Sequence, residues 1–201
     1  MSIQSQYLRA STTPSDINEH LPVLLEYTKR CSSVVECGVR DIVSSWAFAY
    51  GLMGRPDNQY TLVDPYKGGA MDSFLMTCRL AGVNAEFVNQ SDLECPLVKT
   101  DLLFIDTWHV YGQLKRELAR WNGLVAKYII LHDTTVDGDV GETVRVGWNA
   151  REQSVKSGIP VTEITRGIWP AVTEFLVAHP EWTLERRLTN NNGLTVLSRT
   201  A

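Results

Sequence analysis

Four carboxylates close apolar runs in this chain: Glu36 in VVECGVRDIVSS, Asp64 in TLVDP, Asp106 in FIDTWH and Asp133 in ILHDTT. An acid at the carboxyl end of a strand lies on the rim where open α/β sheets bind their ligands. Asp106 and Asp133 end runs expected to be neighbours, so both would face one space. Two carboxylates, completed by water and substrate oxygens, suffice for a hard cation such as Mg2+, and the hydroxyl of Thr134 offers a third oxygen. The same aspartates read otherwise as caps of the helices that follow. His109, just beyond Asp106, has an ordinary pKa near 6.5 and could take up a proton around neutrality, making it the candidate base. Out of context it would read as a surface or capping histidine. His132 sits beside Asp133 as an orienting neighbour, while His20 and His179 carry no such context.

The first two acids suggest a nucleoside. Gly38 lets the backbone turn close against a ligand. Asp64 follows Glu36 at a separation comparable to the roughly 20 residues at which an acid meets a ribose diol in dinucleotide folds. Either acid alone reads equally well as a turn-forming strand end. A GxGxxG fingerprint is absent, with Arg40, Ile42 and Ser44 where further glycines would stand. A pyrophosphate cradle is therefore unsupported, and a nicotinamide dehydrogenase is disfavoured.

These side chains need a scaffold, and the hydropathy pattern supplies one. Short apolar runs at Ser33 to Cys37, Tyr60 to Asp64, Ala85 to Val88, Leu102 to Asp106 and Tyr128 to Asp133 alternate with helix-compatible segments at Ser44 to Met53, Ala70 to Ala81 and Tyr111 to Trp121. Continuous apolarity in the strands means that both faces are covered, as in a parallel sheet. Asp16 is the expected cap of a helix running to about Arg30, with Leu21, Leu24, Leu25 and Thr28 along one face. The Gly- and Asp-rich loop DTTVDGDVGE leads into one helix, and Trp169 to Ala178 forms another. Trp182 to Leu188 and Leu194 to Ser198 then read as a hairpin closed by NNNG.

Composition bounds the possibilities. At 201 residues, 44% hydrophobic and 21% charged, the chain has enough material for one core and none of the signature of disorder. Its 19 basic residues against 23 acidic ones, a formal charge of −4, make a nucleic-acid partner a poor fit. Cys31, Cys37, Cys78 and Cys95 lack zinc-site spacing and read as reduced thiols. With no apolar leader and no stretch approaching the roughly 20 residues that span a bilayer, the expectation is a cytoplasmic protein without a membrane partner.

The motifs VVECGVRDIVSS, TLVDP, FIDTWHVYGQLKREL, YIILHDTT and NNNGLTVL, in this order, resemble the class I S-adenosylmethionine-dependent methyltransferases. The resemblance is to the small O-methyltransferases related to catechol O-methyltransferase and to macrocin-type sugar-modifying enzymes, and it spans nearly the whole chain. It implies a single Rossmann-like methyltransferase domain over 1–201: an N-terminal helical cap (1–30), then an α/β core (31–201) with a mostly parallel seven-stranded sheet and a C-terminal antiparallel hairpin. Carried over position by position, Glu36 and Gly38 form the floor of the methionine site and Ser44 contacts its carboxylate. Asp64 holds the ribose hydroxyls, Ser91 and Asp92 meet adenine, and Asp106 borders the cofactor as well as the reaction. Asp106, Asp133 and Thr134 match metal positions, with Thr134 replacing an asparagine, and His109 falls at the base. Ile42 in place of the second loop glycine and the extra charge of Asp41 are departures from the pattern. The implied activity is methylation of a hydroxyl on a small molecule, sugar or glycan, with S-adenosylmethionine as donor, Mg2+ as the candidate ion and a homodimer as a common assembly. The alternative is a non-catalytic nucleoside-binding or scaffold protein of the same fold.

Overall fold

The computed structural model describes residues 2–200. Seven strands form one sheet: β1 (Ser33–Cys37), β2 (Gln59–Val63), β3 (Ala85–Val88), β4 (Thr100–Ile105), β5 (Val125–His132), β6 (Trp182–Leu188) and β7 (Leu194–Arg199). Their spatial order is β3-β2-β1-β4-β5-β7-β6. β1 to β5 pair in parallel, whereas β7 inserts antiparallel between β5 and β6. Strand order reverses between β1 and β4, the place where an open sheet leaves a crevice at its carboxyl ends.

Alternation along each strand builds two cores. In β4, Leu102 and Phe104 point into one, and Leu103 and Ile105 into the other, all essentially buried. The first core is covered by α1 (Ile3–Thr12), α2 (Leu21–Thr28), α3 (Ser45–Leu52) and α4 (Met71–Leu80). The second is covered by α5 (Tyr111–Trp121) and α9 (Trp169–Ala178). In α5, Leu114, Leu118 and Trp121 recur on the buried face as the helical period requires. Between β5 and α9 lie three short helices, α6 (Glu142–Arg145), α7 (Ala150–Ser157) and α8 (Val161–Ile164). Among the described residues no helix is long and apolar enough to cross a membrane, and the four cysteines are free and buried.

The strand and helix boundaries expected from the sequence agree to within a few residues. The N-terminal segment differs. Within the expected N-terminal helical cap, a separate first helix forms as α1, which Ser2 caps by accepting from the Ser5 amide at 3.1 Å and which buries Ile3 and Tyr7 one turn apart. Asp16 caps no helix: a 3-10 turn, Asn18–His20, precedes α2, whose start carries Pro22 in place of a side-chain cap, and α2 ends at Thr28. The Asp16 carboxylate instead receives Arg40 at 2.5 Å, tying the segment to the loop after β1.

Two glycines fix how the crevice closes. Gly38 leaves β1 at φ +87, and a Cβ there would lie 1.9 Å from the Asp106 carbonyl oxygen, so the ends of β1 and β4 touch backbone to backbone. Gly193 ends the hairpin turn at φ +99, where a Cβ would meet Thr135 Oγ1 at 2.4 Å. With Asn191 and Asn192 also at positive φ, the NNNG turn folds back onto the loop after β5, and the amides of Thr135 and Val136 both donate to the Asn192 carbonyl at 3.0 Å. Replacing Gly38 by Ala is expected to destabilise the fold by about 2 kcal/mol and to lower the thermal midpoint by roughly 4–8 °C. Gly123→Ala, with nothing within 4 Å of the added carbon, should stay within about 0.5 kcal/mol in the same circular-dichroism melts.

Candidate functional site

A cavity of about 690 Å3 opens at the carboxyl ends of the parallel strands. Its wall includes Gly38 and Ser44 after β1, Asp64 after β2, Ser91 and Asp92 after β3, Asp106 and His109 after β4, and Asp133 after β5. Eight of the ten residues singled out from the sequence therefore share one space. Glu36 and Thr134 do not line it.

Glu36 lies inside β1, and the pleat turns its side chain into the first core, where it is fully buried. Ser44 Oγ at 2.5 Å, Ser45 Oγ at 2.8 Å and the Tyr60 hydroxyl all donate to its carboxylate. Burial raises its pKa to about 7 despite those three bonds. Glu36 thus braces the start of α3 beneath the cavity rather than forming its floor. Thr134 is also fully buried; its hydroxyl accepts from Thr195 of β7 at 2.9 Å, which draws it away from the two aspartates.

Asp64 Oδ2 accepts the amides of Val39 at 2.9 Å and Arg40 at 3.3 Å, while Oδ1 accepts that of Tyr66 at 2.8 Å. One carboxylate therefore clamps the loop that passes from Gly38 to Ser44. That clamp holds Ile42 at φ +62, a strained conformation for a β-branched residue, with its side chain buried.

The acids after β4 and β5 converge on one imidazole. His109 Nε2 lies 3.1 Å from Asp106 Oδ1; Nδ1 lies 3.2 Å from Asp133, 3.4 Å from Glu142 and 3.7 Å from Asp137. Burial alone would lower the His109 pKa, but the surrounding carboxylates of Asp106, Glu142 and Asp133 reverse that and lift it well above 6.5. The ordinary value near 6.5 expected from the sequence does not hold here. Burial raises Asp106, yet the facing imidazoles of His132 and His109 outweigh it and hold it well below the usual carboxylate range. Asp133 is shifted upward by burial, only partly offset by the same two imidazoles. Asp137, fully buried, is gripped by Arg145 through Nε at 2.5 Å and Nη2 at 2.7 Å.

Asp106, His109 and Asp133 each place a ligand atom within 4.8 Å of the others. Asp133 Oδ1 and His109 Nδ1 are buried without hydrogen-bond partners. The two carboxylates, Asp106 and Asp133, fit a divalent cation, with His109 beside them and Thr134 outside the group.

Sequence reasoning missed several wall residues. Asn192 comes from the hairpin turn, Glu142 and Arg145 from α6, Trp148 from the loop after it, and Gln113 from α5. Trp108 lines the cavity as well, and its indole donates to Thr143 Oγ1 at 3.0 Å.

No family profile matches the chain, and no curated protein sequence does. Solved structures do. A protein from Corynebacterium glutamicum shares 16% identity at a TM-score of 0.65, covering 98% of this chain and 90% of that one. The O-methyltransferase TomG from Streptomyces achromogenes, involved in tomaymycin synthesis and solved with SAM, shares 14% at 0.63, covering 98% and 90%. The SAH-bound Podospora anserina methyltransferase PaMTH1 shares 13% at 0.58, covering 99% and 88%. The chain therefore has the class I methyltransferase fold that the sequence motifs resemble.

The buried Glu36 generates a pH dependence. Its carboxyl binds a proton more tightly folded, near 7, than unfolded, near 4.5, so its contribution to stability is lost as pH rises through that interval. Glu36→Gln should remove a loss on the order of 3 kcal/mol between pH 4.5 and 7. Thermal melts of both proteins across that range check this through a flattened slope in the variant.

Proposed function

We infer that this chain is an S-adenosylmethionine-dependent O-methyltransferase acting on a hydroxyl of a small molecule or sugar. The observation that carries the reading is a single cavity with Ser44, Asp64, Ser91 and Asp92 along one side and Asp106, His109 and Asp133 along the other. The first set offers a nucleoside what it needs: an acid after β2 for vicinal hydroxyls and polar groups after β3 for a base, while the Ser44 hydroxyl is committed to Glu36. The second set offers a hydroxyl what it lacks, a route to deprotonation.

A neutral hydroxyl is a weak nucleophile, so the acceptor must lose its proton as its oxygen attacks the sulfonium methyl. His109 is the base of this proposal: Asp133, Glu142 and Asp137 lie 3.2–3.7 Å from Nδ1, and Nε2, which faces Asp106, takes the acceptor's proton once the imidazole is neutral. A divalent ion held by Asp106 and Asp133 would lower the hydroxyl's pKa and offset the acids that keep the imidazole protonated. Trp108, Trp148 and Val146 add apolar surface to the cavity wall against which an acceptor can pack. Fixing oxygen and methyl in line contributes up to roughly 7–11 kcal/mol in well-oriented systems, which leaves the protein no covalent step to perform.

Calorimetry with S-adenosylmethionine and S-adenosylhomocysteine should show binding of both, and no heat at millimolar ligand would end the reading. His109→Ala is expected to cut turnover by about 100- to 10,000-fold while changing S-adenosylhomocysteine affinity by less than about twofold. An unchanged rate would remove His109 from its role. Binding without transfer to any member of a broad hydroxyl panel would favour the nucleoside-binding scaffold instead.

A further inference from the structure

Behind the wall near Asp92, two carboxyl groups lie together without a cation between them. Asp92 is 5% exposed and Glu117, on α5, is 1% exposed. Glu117 Oε1 accepts twice, from the Thr107 hydroxyl and from Gln113 Nε2 at 2.8 Å. Gln113 Nε2 also reaches Asp92 Oδ1 at 3.3 Å. The remaining oxygens, Glu117 Oε2 and Asp92 Oδ2, are both buried and have no donor. A single proton between them satisfies both orphans, and two bare carboxylates side by side out of water would not persist.

The nearby groups decide which residue keeps the proton. Arg120 stands on the Asp92 side, its Nε donating to the Asp92 carbonyl at 3.2 Å. The remaining titratable neighbours are the Cys37 and Cys95 thiols, whose pKa values burial pushes up. Burial and the charge of Asp92 move the Glu117 pKa well above its ordinary value. Glu117 therefore holds the proton and Asp92 the charge.

The geometry points to Glu117 as a positioning residue for purine selectivity: its carboxyl O–H donates to Asp92 Oδ2 and keeps Asp92 an acceptor-only group at the cavity wall, matched to the 6-amino group of adenine. This rests on the proposed nucleoside reading of the cavity. A carboxylate accepts and cannot donate, whereas a protonated Asp92 would do both. Against the 6-amino group of adenine the anion gains a hydrogen bond. Against the 6-carbonyl of hypoxanthine two acceptors would face each other with no proton to share, the kind of mismatch on which polar sites discriminate most strongly.

The test is calorimetry of the full chain with S-adenosylhomocysteine and with S-inosylhomocysteine, which differ at that position and its adjoining ring nitrogen. The wild type is expected to prefer the adenine compound by at least about 100-fold. Asp92→Asn, whose amide can donate to a carbonyl, should shrink the preference below about tenfold. Glu117→Gln, whose N–H replaces the carboxyl O–H, should preserve it. Glu117→Leu, which leaves Asp92 free to take up the proton, should narrow it as Asp92→Asn does. A merely structural role for Glu117 would lower the thermal midpoint without moving the ratio. Equal binding of both compounds by the wild type, or an unchanged ratio in Asp92→Asn, overturns the assignment alone. Binding of neither overturns it together with the methyltransferase reading.

Discussion

Asp106 is held between two imidazoles, His109 Nε2 at 3.1 Å and His132 Nδ1 at 3.2 Å, both directed at the same carboxylate oxygen. A carboxylate withdrawn from water survives only with such partners. His132, 1% exposed, turns its other nitrogen, Nε2, toward the carbonyls of Asp16 at 3.2 Å and Asn191 at 3.3 Å. Every partner of this ring is an acceptor, so both nitrogens donate and the ring carries a positive charge. One partly buried ion pair thus joins the end of β5, the loop after β4, the N-terminal segment and the hairpin turn, and the His109 side of the cavity is as well fixed as these four segments are.

The other side of the cavity rests on a different device. Gly38 lets β1 leave the sheet in contact with the backbone of Asp106, and Asp64 then uses its carboxylate to gather the amides of the same loop. Arg40 at φ +39, Ile42 at φ +62 and Asp133 at φ +55 are non-glycine residues in left-handed conformations, and all three lie in segments around the cavity. Such strain persists where neighbours over-determine the backbone. Here the clamp on one side and the imidazole cluster on the other do so. The absence of the glycines that a dinucleotide loop would carry is accommodated by side chains instead of by backbone freedom.

The parallel sheet was legible because strands covered on both faces must be apolar throughout, and LLFI and YIILH are. The acids were legible because Asp64, Asp106 and Asp133 each stand one residue past a strand end, where the pleat no longer dictates direction. Glu36, one residue short of the end of β1, still obeys the pleat and points into the core. A one-residue uncertainty in a strand boundary decides between those outcomes, and a run apolar on both sides gives no parity to read. Thr134 escaped for a related reason, since its partner Thr195 lies on β7, whose place beside β5 no local pattern encodes. Glu117 is a charged residue of an amphipathic helix, and nothing in the local pattern marks it as buried. Its surroundings include Gln113, which also reaches Asp92 in the loop after β3, a neighbour that no pattern within α5 announces.

The hairpin order has a bearing on how this molecule is made. β6 precedes β7 in the chain, yet it is β7 that lies against β5. A growing polypeptide must therefore leave the flank of β5 uncovered, with its row of amides and carbonyls unpaired, until Leu194–Arg199 has emerged. The segment that covers that flank also brings Asn191 to His132 and Asn192 to the cavity wall. Completion of the sheet and completion of the cavity wall are consequently one event in biogenesis, and a chain halted before it would expose an adhesive strand and an open-sided cavity at the same time.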